Sequence, residues 1–175
     1  MIEVKSAYDQ QLSAEELKQL YRIVQLAYEL TEVEVWGENY IRIPFDDYLK
    51  LIEKDEILVA YHENTVVGGI HCYPRGESSY SFSLLAADFS KSGLGIGRAL
   101  IDGVITRAKA AKVNQIEIEI LRPKAIELPF KIRLANWYKK MGFKYTHSQN
   151  FAEVIPLKAK NLLNPSDFDY YTLDI

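Results

Sequence analysis

Three alternating glycines, Gly93, Gly95 and Gly97, stand in the middle of the chain, between a strand-like run at residues 81–87 and a helix-like run at residues 99–105. Glycines leave the backbone N–H groups of a turn uncovered, and the first turn of a helix holds N–H groups that have no partner within the helix. Such groups together attract an anion. The segment therefore predicts a phosphate-binding site, and the alternative is a flexible turn that ends an edge strand.

The spacing of these glycines excludes two common phosphate-binding motifs. A dinucleotide-binding fingerprint needs Gly-x-Gly-x-x-Gly or Ala, but the third place falls on Arg98 counted from Gly93 and on Leu100 counted from Gly95. A P-loop needs a Gly-Lys pair, and the chain has none. Arg98 itself favours a phosphate ligand, because a cation in the first turn of a helix is disfavoured unless an anion lies near it.

The composition is that of one soluble domain. The 175 residues are 48% hydrophobic and 26% charged, which is enough to form a substantial core. The formal net charge of -3 argues against nucleic acid as a partner, because domains that bind nucleic acid are usually basic. Cys72 is the sole cysteine, so no internal disulfide can form, and its apolar neighbours predict that it is buried.

Neither the N-terminal residues nor any later run has the pattern of a signal peptide or the length of a membrane span. We therefore expect a cytoplasmic protein without a membrane partner. The three histidines, His62, His71 and His147, lie far apart in sequence without the spacing of metal ligands, so we expect no metal site.

The elements that would position the glycine turn alternate between strands and helices. Alternating patterns and turn residues predict strands at residues 2–8, 56–61, 65–73, 78–87, 115–121, 143–147 and 170–175. Helical periodicity predicts helices at about residues 14–30, 46–54, 95–111 and 131–141. The first helix follows a capping box formed by Ser13 and Glu16. These elements predict one α/β domain over residues 1–175, with a mixed central sheet of six or seven strands, about four flanking helices and a right-handed βαβ crossover at the glycine turn.

The order of these elements, together with two short motifs, resembles the GNAT family of acetyl-CoA-dependent N-acetyltransferases. The family's loop is written Gln/Arg-x-x-Gly-x-Gly/Ala, and Gly95 and Gly97 match its glycines, while Ser92 stands where Gln or Arg is usual. A later helix of the family ends in Tyr-x-x-x-Gly-Phe, which Tyr138 begins and Gly142-Phe143 completes. The two motifs in this order are more specific than either alone.

The resemblance implies acetyl-CoA as co-substrate and assigns residues to it. The backbone of Leu85, Ala86 and Ala87 would pair with the pantetheine arm as if it were an added strand. The loop would hold the pyrophosphate through Ser92, Gly93, Leu94, Gly95, Ile96, Gly97 and Arg98. An amine would attack the acetyl carbonyl directly, and the phenol of Tyr138 would protonate the leaving thiolate as general acid. The alternative for Tyr138 is an aromatic residue of the core.

The general base is less clearly marked. Many relatives carry a glutamate on the strand before the loop, where this chain has Ser81 and Ser83. Glu119, on the polar face of the strand at residues 115–121, is our candidate, and the alternatives are Glu32, Glu34 and Glu38. Lys131 replaces an asparagine that contacts the coenzyme in relatives, so that contact is not expected here.

The resemblance also implies where the acceptor binds, because in relatives the segment between the first two helices lines the acceptor site, and here that segment is the long loop at residues 31–45. Trp36 and Tyr40, with the glutamates of this loop, would suit a cationic amine, either a small molecule or a protein amino group. Contact of the same loop with a second subunit, in a homodimer, fits as well. The rival interpretation is a non-catalytic acyl-CoA-binding or regulatory protein on the same fold, motivated by Ser92 and by the missing strand glutamate.

Overall fold

A computed structural model describes residues 1–175, and it contains one sheet with helices on both faces. The seven strands are β1 (Ile2–Ser6), β2 (Ile57–His62), β3 (Thr65–Arg75), β4 (Ser79–Ala87), β5 (Gln115–Pro123), β6 (Lys144–Asn150) and β7 (Ser166–Asp174). The four longer helices are α2 (Ala14–Thr31), α4 (Phe45–Glu53), α5 (Ile96–Ala110) and α6 (Pro129–Lys140). Four single turns of helix complete the set: α1 (Ala7–Gln10), α3 (Val33–Trp36), α7 (Phe151–Val154) and α8 (Pro156–Ala159).

The strand order is β1-β2-β3-β4-β5-β7-β6, and β4 and β5 are the one parallel pair. The predicted fold class, a mixed sheet of six or seven strands with about four substantial helices in one domain, is confirmed. No helix is both long and apolar enough to cross a membrane.

Local sequence signals explain where several elements begin and end. The predicted capping box is present, since the Ser13 hydroxyl accepts from the Glu16 N–H and the Glu16 carboxylate accepts from the Ser13 N–H, each at 3.1 Å. The first strand ends at Ser6, earlier than predicted, because the Ser6 hydroxyl caps α1. Strand β3 continues through Arg75, past the predicted turn, because the chain reverses at Gly76, whose φ is 72°.

Strands β4 and β5 pair only where they begin and then separate. Their two pairs are Ser79 with Gln115 and Tyr80 with Ile116. Beyond them β4 bends at Leu84, which has a φ of 52° and lies where the register between β3 and β4 shifts. The remaining edge of β4 therefore has no strand beside it, and a cleft opens in the middle of the sheet.

Two buried clusters fill the faces of the sheet. The larger one, of 16 residues, joins α5 and α6 to one face, and a cluster of 10 residues joins α2 and α4 to the other. Cys72 is buried in the larger cluster, as predicted. Strand β5 directs its isoleucines into this cluster and its glutamates to the opposite face, where Arg75 pairs with both Glu117 and Glu119. Those glutamates thus have the partner that their central strand requires.

Candidate active site

A cavity of about 820 Å³ occupies the cleft between β4 and β5. It runs from the glycine turn before α5 to the segments around α3 and α8. All ten residues that the sequence assigns to the coenzyme line it: Leu85, Ala86, Ala87, Ser92, Gly93, Leu94, Gly95, Ile96, Gly97 and Arg98. The structure thus brings the predicted strand segment and the predicted loop to one wall.

The glycine turn presents a row of unpaired backbone donors. None of the seven consecutive N–H groups of residues 92–98 donates a hydrogen bond within the chain, and the first N–H bonded in α5 is that of Ala99, 3.0 Å from the Gly95 oxygen. Gly93 and Gly95 have φ values of 81° and 74°, which residues with a side chain rarely adopt. Seven amide donors at the N-terminus of a helix form a site for an anion of phosphate size.

Gly97 allows α5 to approach α6 at the same place. A β-carbon at Gly97 would lie 3.0 Å from Cη2 of Trp137, a distance that forces the indole to move. Arg98 also lines the cavity, but its Nε lies 3.1 Å from Asp102 Oδ1 and its side chain is largely exposed. The backbone of the turn, rather than the Arg98 guanidinium, therefore supplies most of the anion-binding capacity.

Tyr138 belongs to the core and also borders the cavity. Its ring belongs to the larger core cluster and packs against Phe82 and Phe143, with centroids 5.8 and 5.5 Å away. Its hydroxyl makes no hydrogen bond within the chain, keeps some accessible surface, and belongs to a residue that lines the cavity. Burial, with a smaller contribution from the nearby Tyr28, raises the pKa of Tyr138 well above that of an ordinary phenol. This hydroxyl therefore stays protonated and available as a donor.

The four candidate carboxylates occupy different environments. Glu119 lines the cavity, and one of its oxygens lies 2.5 Å from Arg75 Nη1. Glu32 also lines the cavity but is buried in a pair with Lys131 and accepts from Trp36 Nε1 at 3.1 Å. Glu34 and Glu38 are exposed and do not border the cavity. The structure thus brings two of the four to the site.

Sequence reasoning missed a hydrogen-bonded group beside the cavity. Glu56 Oε1 lies 2.8 Å from His71 Nε2, and His71 Nδ1 lies 3.3 Å from the Ser83 hydroxyl oxygen. Ser83 lines the cavity from β4, directly across from His71 on β3. Burial lowers the pKa of His71, while the hydrogen bond and the charge of Glu56 oppose that shift. The imidazole is therefore mainly neutral at pH 7 and able to accept a proton.

The end of the cavity beside residues 31–45, where the acceptor is expected, carries more positive charge than the sequence suggested. Arg42 and Lys158 line it, and neither forms an ion pair within the chain. The Arg42 guanidinium lies 5.2 Å from the centre of the Tyr28 ring. Burial raises the pKa of Tyr28 to about 12, and Arg42 partly opposes the shift. Glu34 and Glu38 lie outside the cavity and Glu32 is paired with Lys131, so the glutamates expected to receive a cationic amine offer no unpaired carboxylate there.

The predicted aromatic pair of this region is present. Trp36 and Tyr40 stack with ring centroids 4.6 Å apart. Trp36 borders the cavity, whereas Tyr40 packs on the Trp36 ring without lining the cavity. No group of three His, Cys, Asp or Glu side chains has an arrangement that could hold a metal ion. The chemistry available at the cavity is therefore that of amide donors, three tyrosines and carboxylates, with one imidazole beside it.

Comparison with known proteins identifies the same region of the chain. The model of a family described as acetyltransferase (GNAT) domain matches residues 53–145, which include the glycine turn and Tyr138. A search of curated proteins finds no match.

Solved structures match over nearly the whole chain. Ard1 from Thermoplasma volcanium is 15% identical, with 99% of this chain and 97% of that chain covered and a TM-score of 0.69. Ribosomal-protein-alanine N-acetyltransferase from Brucella melitensis is 19% identical, with 100% and 99% covered and a TM-score of 0.66. An aminoglycoside 6′-N-acetyltransferase complexed with coenzyme A is 14% identical, with 99% and 96% covered and a TM-score of 0.71. At these identities the likeness concerns the fold.

Proposed function

This chain belongs to the GNAT acetyltransferase family, and on that premise we propose that it transfers the acetyl group of acetyl-CoA to a primary amine by direct attack. The observation that carries the proposal is the row of seven unpaired amides at residues 92–98, which opens onto the same cavity as Tyr138. The row supplies an anion site, and Tyr138 supplies a proton donor for a leaving group. A coenzyme with phosphates and a thioester needs both.

The coenzyme would enter along the free edge of β4. Because β5 leaves β4 after Tyr80, the backbone of residues 85–87 can pair with the amide groups of a pantetheine arm. The amides of residues 92–98 would then hold the pyrophosphate. The coenzyme A in the aminoglycoside 6′-N-acetyltransferase structure, which shares this fold, supports the assignment.

Tyr138 would complete the transfer as general acid. The amine nitrogen forms a bond to the acetyl carbon, the carbon–sulfur bond breaks, and the departing thiolate takes the phenolic proton. A thiol has a pKa of about 8.5, so transfer from a phenol to a thiolate is uphill in isolation and needs the proton donor held close. The unpaired hydroxyl of Tyr138, fixed by its packing on Phe82 and Phe143, supports this role.

Glu119 stays a candidate for the base that deprotonates the amine. It lies on the cavity wall, but its charge-assisted contact with Arg75 occupies one of its oxygens. A proton transferred to Glu119 would cost that charge-assisted bond. Because of this cost, another residue near the cavity would serve better as the proton acceptor.

The charge of the acceptor end favours an amine that also carries an anionic group. Arg42 and Lys158 face the cavity without acidic partners, while Glu32 is already paired with Lys131. A carboxylate on the acceptor would find two cations there. The acceptor class would then include amino acids and the termini or side chains of acidic peptides.

Incubation of the purified protein with acetyl-CoA and a panel of amines tests the proposal. Transfer releases free coenzyme A, detected by a thiol-reactive chromophore, and yields an acetylated amine, detected by mass spectrometry. Acetyl-CoA at about a hundred times its dissociation constant should also stabilise the fold by about 2.7 kcal/mol. For a domain of this size that is a shift of roughly 5 to 11 °C in melting temperature. Stabilisation without any acetylated product would instead favour a non-catalytic coenzyme-binding protein.

A further inference from the structure

Ser83 is a polar residue of β4 that lines the cavity beside the segment assigned to the pantetheine arm. It precedes the bend at Leu84 and lies two residues before the segment assigned to the pantetheine arm. Its side chain faces the cavity and also His71 on the neighbouring strand. A hydroxyl in this position can contact both an incoming amine and the imidazole behind it.

We propose that Ser83, His71 and Glu56 form a proton relay that deprotonates the acceptor amine. The inference rests on the proposed acetyl transfer and names the base for it. Two contacts carry it, 3.3 Å from Ser83 Oγ to His71 Nδ1 and 2.8 Å from His71 Nε2 to Glu56 Oε1. These bonds assign the ring tautomer, with the proton on Nε2 donated to Glu56 and the Nδ1 lone pair directed at Ser83.

The proton moves in two linked transfers. The ammonium group of the acceptor gives one proton to the Ser83 oxygen as the Ser83 hydroxyl proton passes to His71 Nδ1. The neutral amine then attacks the thioester carbonyl, its nitrogen loses a second proton, and the carbon–sulfur bond breaks. Sulfur takes the Tyr138 proton, the second proton from nitrogen returns through solvent to the Tyr138 phenolate, and the proton held on His71 passes to solvent, so that one proton is released per transfer.

The surroundings of His71 suit a proton acceptor. The groups that act on it are Glu56, which favours the protonated ring, and the cations Lys54 and Arg42, which disfavour it. The ring stacks on Tyr73, another cavity residue, with centroids 4.6 Å apart. His71 and Glu56 are mostly shielded, with side chains 14% and 25% exposed. Glu56 is thus a positioning residue that fixes the tautomer and stabilises the imidazolium once it forms.

The relay also explains how the chain manages without the strand glutamate that many relatives carry. Ser83 lies on the cavity wall at a position of β4 where relatives would have a carboxylate. Here the carboxylate is that of Glu56, which is linked to Ser83 by two hydrogen bonds through His71. Glu119 is the competing base, but its charge is engaged by Arg75, whereas His71 Nδ1 has a lone pair directed at the cavity through Ser83.

The pH dependence of kcat/KM for the acceptor, in wild type and His71→Gln, tests the relay. In wild type, kcat/KM should rise with pH until His71 is neutral and then stay level. Because the pKa of His71 is lowered, this plateau should begin at a pH below about 6.5. With a lysine side chain as acceptor, kcat/KM of His71→Gln should fall about 100-fold at pH 7 and keep rising about tenfold per pH unit toward the pKa of that amine, about 10.4. Ser83→Ala should lower kcat/KM about tenfold. Glu56→Gln should shift the pH at which kcat/KM levels off to a lower value. A structural defect would not change the shape of this profile.

Two control variants accompany these changes. Ser79→Ala alters a serine four residues earlier on β4, and His147→Gln alters an exposed histidine on β6, both away from the cavity. Both should keep the wild-type profile, and every variant should keep the thermal stabilisation by acetyl-CoA. If His71→Gln loses that stabilisation, the pH profiles of kcat/KM for Ser83→Ala and Glu56→Gln test the relay in its place.

The outcomes separate the relay from the function on which it rests. A wild-type protein that acetylates no amine overturns both proposals. An active wild type whose His71→Gln variant keeps the plateau and stays within about twofold of wild-type kcat/KM overturns the relay alone. Loss of the plateau in His71→Gln, with transfer intact in wild type, supports both.

Discussion

Lys131 on α6 and Glu32 after α2 form a buried ion pair, with Nζ of the lysine 2.5 Å from Oε2 of the glutamate. The pair joins two elements 99 residues apart in sequence on the wall of the cavity. Trp36 Nε1 binds the second oxygen of Glu32 at 3.1 Å, so the carboxylate is satisfied on both sides. Lys131 thus has a structural partner in place of the coenzyme contact made by asparagine in relatives.

Removing one member of this pair should destabilise the fold strongly. Lys131→Met leaves the Glu32 charge buried without its partner, and we expect a loss of about 3–5 kcal/mol in the free energy of unfolding. Urea denaturation measures the loss. The double variant Lys131→Met with Glu32→Gln removes the stranded charge and should recover part of it. Equal stability of the single variant and wild type would show that the pair is not stabilising.

Gly95 and Gly76 provide a matched test of the anion site. Their φ values are 74° and 72°, and a β-carbon at either would meet no atom within 4 Å. Alanine at either position should therefore cost a similar amount of stability, about 1 kcal/mol. Only Gly95→Ala should also weaken acetyl-CoA binding, by tenfold or more in calorimetry, because Gly95 lies within the row of unpaired amides at residues 92–98 and a change of its φ would disturb that row. Equal affinity of the two variants would remove the turn from the coenzyme site.

Tyr138→Phe tests the general acid. The substitution keeps the ring packing and removes the proton donor, so kcat should fall about 100-fold while acetyl-CoA affinity is unchanged. Because burial raises the pKa of Tyr138, its acid form persists as pH rises, and wild-type activity should show no loss from this group below pH about 10. Tyr145→Phe, on exposed β6 away from the cavity, is the control. Unchanged kcat in Tyr138→Phe would exclude the role.

Arg42→Gln tests the anionic acceptor. We expect wild type to acetylate amino acids and acidic peptides at least tenfold more efficiently than the corresponding amides, by kcat/KM. A charge-assisted bond to a carboxylate contributes about 1.5–3 kcal/mol, which is roughly 10- to 100-fold. Arg42→Gln should remove most of this preference and leave the KM for acetyl-CoA unaltered. Arg22→Gln, on the exposed side of α2, serves as control. Equal use of acids and amides by wild type would contradict the prediction.

The sequence predicted those parts of the site that depend on local pattern. The glycine turn and its helix follow from the spacing of Gly93, Gly95 and Gly97, because φ preference and helix ends are local properties. Tyr138 was found through the motif that ends at Gly142, whose φ of 106° marks the end of α6. The two faces of β5 followed from strict alternation of isoleucine with glutamate.

The remaining site residues depend on long-range geometry. His71 was considered only as a metal ligand, since its contact with Ser83 requires the register of two strands that shift at the bend near Leu84. A bulge adds one residue to one strand and changes which side chains face each other. No local sequence pattern near Leu84 predicts the bulge. Arg42 and Lys158 line the same cavity although they lie more than a hundred residues apart in sequence. The lengths of the intervening turns do not predict that these two residues come together.

Transfer of an isotopically labelled acetyl group tests the central claim most directly. The protein is incubated with acetyl-CoA labelled with carbon-13 in the acetyl group and with a panel of amino acids, peptides and simple amines, and the products are identified by mass spectrometry. The account predicts a labelled N-acetyl product and an equal amount of free coenzyme A, both strongly reduced in Tyr138→Phe. Absence of label in every amine, with coenzyme binding intact, would contradict it.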